Sequence, residues 1–68
     1  MYIIEIEDWE EDIDIYNEIF MTLEDAVKQA QEEACHNKAV GIYKVDEKEN
    51  PIEEYDIYGN KIKEVKNV

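Results

Sequence analysis

Hydrophobic residues recur at every second position near both ends of this chain and at helical spacing in its middle. Tyr2-Ile3-Ile4-Glu5-Ile6-Glu7 sets Tyr2, Ile4 and Ile6 on one side and Ile3, Glu5 and Glu7 on the other. That two-residue period predicts a strand. Ile13 to Phe20 continues it, with Ile13, Ile15, Asn17 and Ile19 alternating with Asp14, Tyr16, Glu18 and Phe20. Its Ile and Tyr content favours a strand over a helix across residues 10–20. Asp8 to Asp12 is a polar loop, so the first twenty residues read as an acidic hairpin.

The period changes at Thr22. Thr22-Leu23-Glu24-Asp25 resembles a capping box, with Thr22 as N-cap and Asp25 in the third helical position. Leu23, Ala26, Val27, Ala30 and Ala34 then recur at helical spacing. The helix is expected over about 23–36, with Asn37 as a left-handed residue just past its end. Ala39 to Val45 predicts a third strand, Asp46 to Pro51 a charged turn, and Ile52 to Tyr58 a fourth strand. Gly59-Asn60 suits a two-residue type II′ turn into a fifth. In that register Tyr58 faces Lys61, Ile57 faces Ile62, Asp56 pairs with Lys63, and Tyr55 faces Glu64. Tyr43, Tyr55 and Tyr58 are expected to pack across strands. The order β-β-α-β-β-β predicts an α+β domain, a small antiparallel sheet with one helix packed on one face. Residues 1–68 are expected to form a single small acidic domain.

Charge changes the picture. Residues 1–36 carry twelve acids and one lysine, and residues 37–68 carry seven acids and six lysines. The formal charges are −11 and −1, which sum to −12. Seven acids fall within the ten residues Glu5 to Asp14. Low hydrophobicity with such charge would imply disorder, but ten Ile, five Tyr, one Phe and one Trp supply a core. The size also leaves room for a homodimer. There is no arginine, and binding to phosphates requires clustered basic residues, so no direct nucleic-acid ligand is expected. No segment approaches the ~20 apolar residues of a membrane span, and anionic lipid would repel the chain. No membrane partner is expected. The single Cys35 excludes an intrachain disulfide and fits a cytoplasmic setting. The Ile-, Lys-, Glu- and Asn-rich, arginine-free composition matches an AT-rich genome, such as that of a low-GC bacterium or its phages.

Catalytic constellations are thin. Cys35-His36 are adjacent on a helix, where neighbours point apart, and a zinc site would need more Cys or His. The acids of residues 8–14 lack the EF-hand spacing and its glycine. There is no Ser and no glycine-rich phosphate loop. No cofactor, metal or enzymatic activity is expected.

The acidic hairpin is the candidate site. Glu5, Glu7, Asp8, Glu10, Glu11, Asp12 and Asp14 would present carboxylates, with Trp9 as an aromatic anchor of the kind enriched at interface hot spots. Carboxylates on one strand face recur about every 6.6 Å, a scale comparable with the ~3.4 Å rise between phosphates. The expected partner is therefore a basic surface of another protein. The expected role is a non-enzymatic binding protein, in its most concrete form a phage or mobile-element inhibitor that imitates DNA. The alternative is a small adaptor or dimerisation domain whose charge serves solubility.

Overall fold

The computed structural model describes residues 1–65. Its elements are β1 (Tyr2–Glu7), β2 (Ile13–Ile15), α1 (Leu23–Ala34), β3 (Ala39–Val45), β4 (Pro51–Tyr55) and β5 (Lys61–Glu64). The five strands form one antiparallel sheet in the order β2-β1-β3-β4-β5. The helix packs on β1 and β3, so the expected α+β architecture is the observed one.

Alternation along β1 decides which residues the helix covers. Across β1 and β3, Tyr2 faces Lys44, Ile4 faces Ile42 and Ile6 faces Val40. Ile4 and Ile42 are wholly buried, and meet Ala26 and Ala30, also wholly buried, on the helix. The alanines leave room for this close approach. Thr22 begins the helix as the capping pattern predicts: its hydroxyl accepts from the Asp25 amide at 3.2 Å. Thr22→Ala should destabilise the fold by ~1 kcal/mol, read as a shifted denaturant midpoint.

The helix ends two residues earlier than expected. The Cys35 and His36 amides bond back to the Glu32 and Glu33 carbonyls. Asn37 is not left-handed; the non-glycine residues with positive φ among those described are Glu11 and Glu49. Its side-chain amide instead donates to the Glu33 carbonyl at 2.9 Å. The Glu33 carbonyl, which also accepts from the His36 amide, thus gains a second donor, and the helix ends without a Schellman motif.

β2 is shorter than its sequence pattern. Tyr16 donates to the Ile4 carbonyl, and Phe20 exchanges bonds with Tyr2 at 2.8 and 2.9 Å. Four residues on one strand thus span two on the other. Residues 17–19 must leave the ladder, while Tyr16 and Phe20 return to the core side and stack at 6.1 Å.

One loop chemistry builds all three hairpins. Asp8–Asp12, Asp46–Asn50 and Asp56–Asn60 each begin with an Asp whose Oδ1 accepts from the amides two and four residues on, at 2.9–3.0 Å. The first amide of each loop donates to the carbonyl of the fifth residue, and the fourth amide donates back to the first carbonyl. The fourth residue is left-handed: φ is 69° at Glu11, 63° at Glu49 and 89° at Gly59. This is a type I turn followed by a bulge residue. It overturns the two-residue turn expected at Gly59-Asn60. With Asp56 and Asn60 closing the loop, Tyr55 faces Lys61, Glu54 faces Lys63 and Glu53 faces Glu64. Lys63 therefore pairs with Glu54, at 3.6 Å, and not with Asp56. β4 ends at Tyr55, and Tyr58 stands exposed in the loop with no cross-strand partner. Tyr55 does pack as expected, edge-on to Tyr2.

Two consequences are testable. A left-handed residue with a side chain costs ~1–2 kcal/mol, and glycine removes that strain at some entropic cost. Glu49→Gly should therefore raise the denaturant midpoint, by the order of 0.5–1 kcal/mol. Backbone amides, that of Asn50 first for Asp46 and that of Asn60 first for Asp56, hold these carboxyls below their ordinary value of 3.8. Their folded pKa is depressed, so their stabilisation is full above ~4 and fades as pH falls through the lower folded value. Asp56→Asn keeps an accepting oxygen but does not titrate. Its melting midpoint should fall less steeply below about pH 4 than that of the unaltered chain.

Candidate functional site

The helix covers one face of the sheet and leaves the other bare. Three cross-strand rows line the bare face. Ile3, Tyr43, Glu54 and Lys63 form the first; Ile15, Glu5 and Gly41 the second; Ile13, Glu7 and Ala39 the third. Gly41 and Ala39 place almost no side chain beside Glu5 and Glu7. A shallow trough results, with Ile13 on one side and Tyr43 and Glu54 on the other. Burial, then the charges of Glu5 and Glu54, push the Tyr43 hydroxyl pKa up.

The predicted site residues do not all share this face. Glu5 and Glu7 lie in the trough. Asp8 is structural, because its carboxylate is committed to the Glu10 and Asp12 amides. Trp9 and Glu10 form the exposed loop tip, with Trp9 73% exposed. Glu11 takes the left-handed position and meets Lys38 at 3.0 Å. Asp14 faces the helix side, opposite Ile6. There it lines a cleft with Asp8, Asp12, Tyr16 and Glu33. The carboxylates therefore flank the β2 edge on both sides and do not form one planar array.

Lysines do little to neutralise them. Lys38 bonds Glu11 and lies 3.8 Å from Glu7. Among the described residues no other lysine is within ion-pair range of the first hairpin. The lysines of β3 and β5 are engaged at home: Glu53 holds Lys61 at 2.8 Å and Lys44 at 3.7 Å, and Glu64 also meets Lys61. Lys61, chiefly, holds the Glu53 carboxyl below its ordinary value.

The exposed apolar residues are what the charge pattern alone could not show. Seven large hydrophobic side chains are exposed among the described residues: Trp9, Ile13, Ile15, Ile19, Met21, Tyr58 and Ile62. Five of them lie within residues 9–21. That is the same stretch in which residues 8–21 hold six acids and no lysine. The departure of residues 17–19 from the ladder leaves Ile19 exposed.

Among the described residues no three His, Cys, Asp or Glu side chains gather as a metal site requires, and no helix is long and apolar enough to cross a membrane. Cys35 and His36 are both exposed, and the Cys35 thiol lies 3.5 Å from the Gln31 carbonyl. No family model, curated protein or solved structure matches the chain.

Proposed function

We propose that this chain is a non-enzymatic binding protein that occupies a basic surface of another protein through its β1–β2 side. The observation that carries the reading is the coincidence of unneutralised carboxylates with exposed Trp9, Ile13, Ile15, Ile19 and Met21 in one segment. Solubility needs the acids but not the apolar groups among them. Apolar side chains exposed among polar groups mark an interaction site where they cluster, as Ile13 and Ile15 do on one face of β2. The carboxylates steer a cationic partner from a distance, and the apolar groups supply short-range contact on docking. The basic surfaces with the strongest fields are those that bind nucleic acid, so an inhibitor that displaces DNA or RNA is the most concrete form. The mixture of apolar and acidic groups departs from a pure imitation of phosphates and favours a protein surface with apolar side chains between its lysines and arginines.

Affinity capture from the source cell with the unaltered chain, set against a Trp9→Ala, Glu7→Lys, Glu10→Lys variant, tests this. The expected result is a basic protein retained by the first and lost by the second, whose nucleic-acid binding falls as the chain is added. A captured partner that is acidic, or that both chains retain equally, refutes it.

A further inference from the structure

The β2 edge carries a more specific device than a charged patch. Hydrogen-bonding directions alternate along β1. Tyr2 and Asp8 turn their backbone groups towards residues 20 and 12, whereas the Glu7 carbonyl accepts from Lys38 on the β3 side. Ile4 and Ile6 therefore also face β2, and Tyr16 and Asp14 return those bonds. The amides and carbonyls of Ile13 and Ile15 point the other way, out from the sheet. Native proteins blunt such an edge by keeping it short or with charged residues, lysine above all, proline or a bulge. β5 follows that practice, with Lys61 and Lys63 flanking Ile62. β2 is only three residues long and has no lysine or proline; its one charge, Asp14, is an acid that disfavours an acidic strand and not a basic one.

We infer that β2 accepts an extended basic segment of the partner as a sixth, antiparallel strand. This rests on the docking role proposed above and names its mode. Cross-strand geometry dictates the segment's pattern. Residues opposite Ile13 and Ile15 lie on the bare face, beside two exposed isoleucines, and should be apolar. Residues opposite Asp12 and Asp14 lie on the helix side and should be lysine or arginine. The recognised sequence alternates basic and apolar residues, and its apolar residues exchange backbone hydrogen bonds with Ile13 and Ile15. A second copy of this chain is the poorer occupant. Pairing β2 with β2 sets acids against acids. The lysines of β5, which share the alternating pattern, are already held by Glu53, Glu54 and Glu64.

The test uses labelled synthetic peptides and the full chain, read by fluorescence anisotropy at low salt. One peptide alternates lysine and valine. The second has the same composition in blocks. Two more carry N-methyl groups, on the valines in one and on the lysines in the other. The alternating peptide and its lysine-methylated form should bind alike. The block peptide and the valine-methylated form should bind at least tenfold more weakly. Ile15→Pro, which removes an outward amide and no bond to β1, should reproduce that loss while the melting profile persists. Equal binding of all four peptides overturns strand addition but leaves electrostatic docking standing. Absence of binding by any of them also overturns strand addition, and capture of a basic protein decides the docking role separately. Self-association of the chain that is abolished by Ile15→Pro assigns the edge to a second copy and overturns the inference.

Discussion

Ile4→Ala is expected to leave the chain largely unfolded at 25 °C. Ile4 lies directly opposite Ile42 across the two central strands, and both side chains are wholly buried beneath Ala26 and Ala30. Ala26 and Ala30 above Ile4 have no side-chain length with which to fill the space, and Phe20 is the one large side chain besides Ile42 buried in the same cluster, so truncation should leave a cavity. Truncating a buried isoleucine costs ~2–5 kcal/mol, and a core of this size supplies only ~3–5 kcal/mol of net stability. Ile15→Ala is the matched control. Ile15 is half exposed on the edge strand, so its truncation should shift the denaturant midpoint by less than ~1 kcal/mol. Circular dichroism with urea separates the two. Similar losses at both positions would mean that the sheet buries its other face.

The largest effect on binding is expected at Trp9. It stands at the tip of the first loop, far more exposed than the folded state requires, and its neighbours are acids. Trp9→Ala should cost ~2 kcal/mol or more of affinity for the partner, about thirtyfold, chiefly through faster dissociation. Glu7→Lys and Glu10→Lys should act differently. They change the field, so association should slow and its salt dependence weaken. Asp8→Lys and Glu11→Lys are unsuitable probes of this kind. Asp8 holds the loop amides, and Glu11 occupies the loop's left-handed position as well as bonding Lys38, so either change disturbs the loop as well as the field. Cys35→Ala and His36→Ala should leave association and dissociation rates unchanged. Loss of activity with those two, and not with Trp9→Ala, would move the site to the end of the helix.

Much of the fold was legible because local chemistry and period agreed. β1 and β3 alternate cleanly, and the Thr22 cap precedes an alanine-lined helical face. The departures in the strands share a cause: period 2 is blind to residue counts. Tyr16 and Phe20 keep their alternation whether or not residues 17–19 stay in the ladder, so the sequence shows no break. In the last hairpin, hydrophobicity and charge agreed on the wrong register. Ile57 with Ile62 and Asp56 with Lys63 fit a two-residue turn well. The real determinant was the Asp side chain that organises five residues, a spacing written three times as Asp8/Asp12, Asp46/Asn50 and Asp56/Asn60. That signal was readable. The bare sheet face was not, since Ile3, Ile13 and Ile15 look like core residues until the single helix is seen to occupy the other side. For the candidate site, charge located the segment, while exposure of its hydrophobic residues depended on the edge position of β2.

The most direct measurement is a hydrogen–deuterium exchange footprint of the chain bound to its captured partner. The account predicts new protection across residues 9–21, strongest at the outward amides of Ile13 and Ile15, with β5 unchanged. Protection confined to β4 and β5 or to the exposed side of the helix, with exchange in residues 9–21 unaltered, would contradict it.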